Sequence, residues 1–264
     1  MTLNVEKIGS NTKPNLTFIH GWGAQNAVWR DWAKAQFSND YFLHLIELPG
    51  FGHSDKIENL ESKQAIAEAW TQALIDALPS NTHLLGWSLG GLLAQQIAIQ
   101  APQKINKLIC LASTPRFTQT DHWQWAVSPK LMTDFMRSLN ADSMATLKSF
   151  WALQMQGSDM PRKNLKQFIQ RMQSYQIPSA TGLVQGLKLL KYFDFRNDAD
   201  QIKQPMIWLL GELDPLIPQE FISEFSTIQP QARVQILKGA AHTPFSSHPE
   251  QTALAIREFL TTTN

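Results

Sequence analysis

Short apolar runs of strand length alternate with longer stretches in which apolar positions recur every three or four residues. The runs are LTFIHG (16–21), YFLHLIEL (41–48), HLLGW (83–87), KLICLAS (107–113), MIWLLG (206–211) and VQILKG (234–239). They are rich in branched and aromatic residues and are closed by Gly, Pro or Ser, as strands are. Helical spacing marks KQAIAEAWTQALIDAL (63–78), GGLLAQQIAIQ (90–100) and PEQTALAIREFL (249–260). Strands that are apolar on both faces, separated by amphipathic helices, predict an α/β fold with a mostly parallel sheet covered on both sides.

Between Thr118 and Tyr192 the alternation stops. No run reads as a strand, yet Trp123, Trp125, Leu131, Phe135, Leu147, Phe150, Trp151, Leu153 and Phe168 keep a helical spacing. The pattern predicts a helical cap at 118–192 inserted into a core domain made of 1–117 and 193–264. Ligands in such folds bind outside the carboxyl ends of the strands, so an insertion there suits a lid.

Composition narrows the classes. With 264 residues, 43% of them apolar, the chain can bury roughly 70% of the surface its unfolded form exposes. Charged residues are 17% and the formal net charge is +1, which gives no argument for a nucleic-acid or membrane partner. The first residues are polar and acidic where a secretory signal needs an apolar core, and no apolar stretch approaches the ~18 residues of a spanning helix. A cytoplasmic, monomeric protein is expected. The one cysteine, Cys110, lies in an apolar run and reads as a buried structural thiol in a reducing compartment.

The chemistry begins at Gly86-Trp87-Ser88-Leu89-Gly90. A strand runs directly into a helix with serine at the join, the arrangement of a nucleophile elbow. Glycines two residues to either side relieve the crowding of that turn, and the helix N-terminus offers free N–H groups to whatever bonds to Ser88. A serine nucleophile needs a base, and the base an orienting carboxylate. Asp214 follows one late strand and His242 the next, in the order serine, acid, histidine. Glu212 is the rival acid and His248 the rival base; His248 immediately precedes Pro249 and the last helix, whereas His242 follows the small residues Gly239-Ala240-Ala241. Two backbone donors are expected for the oxyanion: the N–H of Leu89, and that of Trp22 in the glycine-rich FIHGWG. The turn ELPGFGHSD (47–55) reads as structural. No Cys/His cluster or H-x-x-x-H pair occurs, so neither a metal nor another cofactor is expected.

FIHGWG, LPGFGHS, GWSLGG, GELDPLIP and GAAHTPFSSHPE, in this order and across nearly the whole chain, resemble the α/β-hydrolase superfamily. More narrowly, HGWG with GWSLGG, FWALQ at 150–154 and AAHTPFSSHP resemble the methyl ester esterases that act on pimeloyl-acyl carrier protein in biotin synthesis. The resemblance implies a serine carboxylesterase that releases methanol and leaves pimeloyl-acyl carrier protein. It implies Ser88, Asp214 and His242 as catalytic residues, with Trp22 and Leu89 around the oxyanion. Phe150, Trp151, Ala152, Leu153 and Gln154 would line the acyl channel beside them. Two departures stand out. Glu47 occupies a position where many relatives have aspartate, and basic residues expected on the cap are only partly matched, by Lys148, Arg162, Lys163 and Lys166.

Charge bears on the last point. Residues 129–172 hold seven Lys/Arg and three Asp, a net +4, on an otherwise slightly acidic chain. A basic cap would steer an acidic carrier protein to the channel mouth. Two alternatives stay open: a broad esterase for small, short-chain esters, and a catalytically silent ligand receptor of the same fold.

Overall fold

The computed structural model describes residues 1–173 and 175–262. Seven strands form one sheet: β1 Val5–Ile8, β2 Asn15–Ile19, β3 Phe42–Ile46, β4 Thr82–Trp87, β5 Ile105–Leu111, β6 Met206–Gly211 and β7 Arg233–Leu237. Their order across the sheet is β1-β3-β2-β4-β5-β6-β7. Only β1 is antiparallel, pairing Val5 with Ile46 and Ile8 with Leu43 on β3. The interior strands are apolar on both faces because helices cover both; β6 is buried along its whole length.

Six strands match the apolar runs of the sequence to within a few residues. β1 was not legible there, because VEKI is only four residues long with two adjacent charged residues at its centre, and it sits at an edge. The helices around the sheet are α1 Arg30–Phe37, α2 Lys63–Ala77 and α3 Leu89–Gln100. Four more, α4 Pro129–Ala141, α5 Ser143–Met155, α6 Pro161–Gln173 and α7 Ala180–Tyr192, run between β5 and β6. After β6 come α8 Ile222–Ile228, α9 Pro244–Ser247 and α10 Pro249–Thr261. Ser128, Asp142 and Ser179 cap α4, α5 and α7 by accepting a hydrogen bond from the N3 backbone N–H, which satisfies a donor the helix itself cannot. Between β5 and α4 only isolated bridges occur, Thr118 with Val127 and Thr120 with Trp123.

The loops that leave the carboxyl ends of β2, β3, β4, β6 and β7 converge under α4–α7. Loop 20–25 touches α5 and α7, through Gly23 and Trp22 respectively, and Gly50 of the next loop accepts a hydrogen bond from Ser179 at the start of α7.

Candidate active site

Ser88 sits between β4 and α3 with φ 55° and ψ −118°, a left-handed conformation costly for a residue with a side chain. The neighbours make it possible. A Cβ on Gly86 would run into the Gly90 carbonyl, and one on Gly90 into the carbonyl oxygens of Ile19 and His20. Both positions therefore need glycine, and α3 can begin hard against β2 and β4. Leu111 and Ser113 hold the turn from the β5 side: Ser88 N–H donates to the Leu111 carbonyl at 3.0 Å, and Ser113 Oγ donates to the Ser88 carbonyl at 2.7 Å.

His242 Nε2 lies 2.9 Å from Ser88 Oγ, and His242 Nδ1 lies 2.8 Å from Asp214 Oδ2. The imidazole bridges residues 154 positions apart in one direction and 28 in the other. Asp214 Oδ1 accepts from the N–H groups of Leu216 and Ile217 at 2.8 and 3.2 Å, so the carboxylate cannot swing away from the ring. On the far side, Trp87 Nε1 donates to the His242 carbonyl at 2.8 Å. His242 and Asp214 side chains are fully screened from solvent. In such a dry setting, fixed hydrogen bonds act at higher strength than in water.

The rival residues are engaged elsewhere. Glu212 Oε2 accepts from the Gly239 N–H at 2.8 Å, which tightens the turn leading to His242. His248 bonds Ser247 Oγ through Nδ1 and faces the Asp159 carboxylate at 3.8 Å through Nε2. Cys110 is buried, and desolvation pushes its thiol well above the ordinary range, so it is no nucleophile. Glu47 is buried and accepts from Asn4 Nδ2, from the His53 N–H and from the Asn26 N–H; the longer side chain of glutamate clasps the 47–53 turn to loop 20–26. Among the described residues no group of three or more His, Cys, Asp or Glu gathers where it could hold a metal ion.

Gly21 packs directly on the elbow: a Cβ there would sit 3.1 Å from Ser88 Cβ. This brings the next residue, Trp22, beside Ser88. Among the described residues neither the Trp22 nor the Leu89 backbone N–H has a hydrogen-bond acceptor, so both are available to an oxyanion. His20 braces this loop. Its Nε2 accepts from the Leu48 N–H at 3.1 Å, which leaves Nδ1–H to donate to the Gly21 carbonyl at 2.8 Å. Burial lowers its pKa to about 4 against the opposing pull of Gly21 and Glu47, so the ring is neutral in this role.

Helices α4, α5 and α7 reach the same loop. Trp22 Nε1 donates to the Leu183 carbonyl on α7 at 2.9 Å, and its ring meets Phe150 edge-to-face at 5.0 Å and Phe135 at 5.5 Å. Trp151 Nε1 donates to the Gly23 carbonyl at 2.9 Å. Phe150, Trp151 and Gln154 lie on the buried face of α5, with Ala152 and Leu153 half-buried on its flanks; five consecutive helical residues span more than a full turn and cannot share a face. Trp123 and Trp125 lie apart from this cluster. Trp123 meets Phe221 edge-to-face at 4.4 Å beneath Arg196, and Trp125 is exposed. Lys148, Arg162, Lys163 and Lys166 are all exposed. Ser88 is 1% and His242 0% exposed, so both are covered in this structure.

Sequence reading missed the contributions of Ser113, Trp87 and His20. Each acts through a contact with a residue distant in sequence or through a backbone atom, and no local motif announces it.

The family model for the alpha/beta hydrolase fold matches residues 14–249. Among curated relatives, the pimeloyl-acyl carrier protein methyl ester esterase of Aeromonas salmonicida is 36% identical, covering 98% of this chain and all of that one. The protein of the same name from Vibrio cholerae is 34% identical over 94% of each chain. Among solved structures, an esterase from Exiguobacterium antarcticum superposes with a TM-score of 0.85 at 20% identity, over 98% of this chain and 96% of that one. A bromoperoxidase from Bacillus anthracis also gives 0.85, at 19% identity over 98% and 95%; at these identities the likeness is one of fold.

Proposed function

The chain belongs to the α/β-hydrolase family, and we propose that it is the serine carboxylesterase that hydrolyses the methyl ester of pimeloyl-acyl carrier protein, giving pimeloyl-acyl carrier protein and methanol in biotin synthesis. The relatives that share a third of its sequence over their whole length carry that name. The observation that carries the chemistry is the unbroken hydrogen-bonded line from Ser88 Oγ through His242 to Asp214.

In this reading Ser88 Oγ attacks the ester carbonyl carbon while His242 Nε2 takes its proton. The N–H groups of Trp22 and Leu89 receive the negative charge that develops on the carbonyl oxygen; one such donor is worth about 3 kcal/mol of barrier. The C–O bond breaks, and methanol leaves with the proton from His242. Water then gives a proton to the same nitrogen and attacks the acyl-serine, and the free carboxylic acid departs as Ser88 regains its proton. Asp214 holds the ring with Nε2 toward the serine and stabilises its charged form in both steps.

Helices α4–α7 act as the cap, with 118–192 as its extent and the remainder as the core. Phe150, Trp151, Ala152, Leu153 and Gln154 contribute to the acyl channel. Lys148, Arg162, Lys163 and Lys166 form the face that meets the acidic carrier. Among the described residues no helix is long and apolar enough to cross a membrane; we take the protein to work as a monomer in the cytoplasm.

The test is kcat/KM for methyl pimelate attached to acyl carrier protein against the same ester free in solution. A large preference for the carrier-bound form is expected. Equal rates would make the protein a general esterase, and failure of a serine-reactive phosphonate to label it would leave a silent receptor.

A further inference from the structure

His242 and Ser88 come from distant strands. His242 follows β7 at one edge of the sheet, whereas Ser88 follows β4, with β5 and β6 between them. Three strand spacings are about 14 Å, and the loop after β7 has to cross that gap. It does so in steps. The Gly239 N–H donates to Glu212 Oε2 at 2.8 Å, and the Ala240 carbonyl accepts from the Leu213 N–H at 2.8 Å. The loop then passes over the end of β6 so closely that a Cβ on Gly211 would lie 2.3 Å from the Ala241 carbonyl oxygen. The last step, onto β4, is one bond: Trp87 Nε1 donates to the His242 carbonyl at 2.8 Å. Among the described residues no other donor reaches that carbonyl.

Trp87 is suited to be the fixed point. It is the last residue of β4, inside the sheet, and its backbone pairs with Leu111 on β5. Its side chain is fully buried, closed in by the rings of Phe245 at 5.1 Å, His242 at 6.0 Å and Trp29 at 6.2 Å. The indole also lies against the loop that carries Trp22, where a Cβ on Gly21 would be 3.0 Å from Trp87 Cε3. One side chain thus touches the loop of the base and the loop of Trp22, and it directly precedes Ser88. Volume alone does not account for it. Trp29 and Trp208 are also buried, and among the described residues their indole N–H groups have no acceptor. At Trp87 the N–H is spent on the backbone of the base.

We propose that Trp87 is a positioning residue for the hydrolysis: its indole N–H fixes the backbone of His242, and with it the distance from Nε2 to Ser88 Oγ. The proposal rests on the reading of Ser88, His242 and Asp214 as a working triad. Asp214 sets which nitrogen faces the serine, but one hydrogen bond to Nδ1 leaves the ring to move with its backbone. The proton passes from Oγ to Nε2 across 2.9 Å, and a displacement of about 1 Å at such a step can cost a hundredfold in rate. Trp87 holds the base and not the ester, so its effect belongs to kcat.

The experiment follows p-nitrophenyl acetate hydrolysis by the unsubstituted protein, by Trp87→Phe, and by the protein carrying 3-benzothienylalanine at position 87. The last keeps the bicyclic shape and has sulfur in place of the N–H. It is expected to lose about tenfold in kcat, the weight of one hydrogen bond, with KM within twofold and an unchanged urea midpoint. Trp87→Phe should lose more, up to about a hundredfold. Both changes are then repeated in a His242→Ala background, where the residual rate is read with excess enzyme. Groups that act as one unit are not additive, so no further loss is expected there. Full kcat with the benzothienyl side chain would mean that packing alone holds the base, and overturns the proposal. A loss in the His242→Ala background as large as in the parent overturns it too, because Trp87 would then act through Ser88 or Gly21. Either result leaves the triad standing. A Ser88→Ala protein that retains half the parental rate would overturn the triad reading itself, and the role of Trp87 with it.

Discussion

Ser113 Oγ donates a 2.7 Å hydrogen bond to the carbonyl oxygen of Ser88, the residue whose own backbone is held at φ 55°. The bond comes from the end of β5, where the preceding residue, Ala112, is itself at φ 43°. Two left-handed non-glycine residues, each just past the end of one of two paired strands, mark strain kept for a purpose: the bend at Ala112 turns Ser113 under the elbow. Ser113→Ala is expected to lower kcat about tenfold, the cost of one buried hydrogen bond, with KM and the far-ultraviolet circular dichroism spectrum little changed. Ala112→Gly should raise Tm by relieving its backbone. A Ser113→Ala enzyme with full kcat would show that α3 and Leu111 hold the elbow unaided.

Asp214 and Glu212 stand two residues apart and do different work. Asp214→Asn keeps the shape but removes the charge that fixes the His242 tautomer, and kcat should fall by about 10⁴. Glu212→Gln retains an acceptor for the Gly239 N–H and should keep activity within about threefold, since that hydrogen bond is weakened but not lost. Steady-state kinetics on one small ester would decide; a larger loss for Glu212→Gln would reverse the roles.

The parts of this molecule legible in the sequence are those that demand particular residue types close together. The elbow needs glycine at 86 and 90 because carbonyl groups occupy the space a Cβ would take, so its signature survives in five letters. The order of Asp214 and His242 after two late strands was readable for the same reason. α1 was missed because RDWAKAQF is short and polar on balance. The grouping of Trp123 and Trp125 with Phe150 was misleading, since helical spacing gives no information on which neighbour an aromatic ring meets. Contacts such as Ser113 with Ser88 or Trp151 with Gly23 exist only once the sheet has brought distant loops together.

Three histidines should make the fold acid-sensitive. His20, His44 and His83 have pKa values lowered to about 4, in each case chiefly by burial, with Lys7 adding to the effect at His44 and Lys107 at His83. Above pH 6.5 all three are neutral in both folded and unfolded chains, and their contribution is complete. Between pH 6.5 and about 4 the unfolded chain takes up protons that the folded one refuses, so stability falls as pH falls. Tm measured across this window should drop, and His83→Gln, which removes one of the three, should make the drop shallower. An unchanged slope would place His83 in water rather than against Tyr41.

Gly90→Ala tests the close packing of the elbow itself. The added methyl would meet the backbone carbonyl oxygens of Ile19 and His20, which cannot move without displacing β2. The expected loss is about 1–3 kcal/mol, the range for overpacking in a filled interior, read as a lower denaturation midpoint in urea. A variant with unchanged midpoint would mean that α3 can slide away from β2 freely.

The basic residues proposed to meet the carrier should act on encounter and leave chemistry alone. Arg162, Lys163 and Lys166 are exposed on α6, so each contributes through long-range attraction that salt screens within ~10 Å at 0.1 M. Joint reversal, Arg162→Glu with Lys166→Glu, changes the local charge by four units while touching no residue near Ser88. The expectation is a fall of about tenfold or more in kcat/KM for the carrier-bound methyl ester at low salt, shrinking as salt is raised, because rim charges govern association rate. Turnover of a small free ester should stay within twofold. Equal loss on both substrates would mean that the substitutions disturb the packing of α6 against Trp151 through Phe168, and the docking face would then have to be sought elsewhere on the cap.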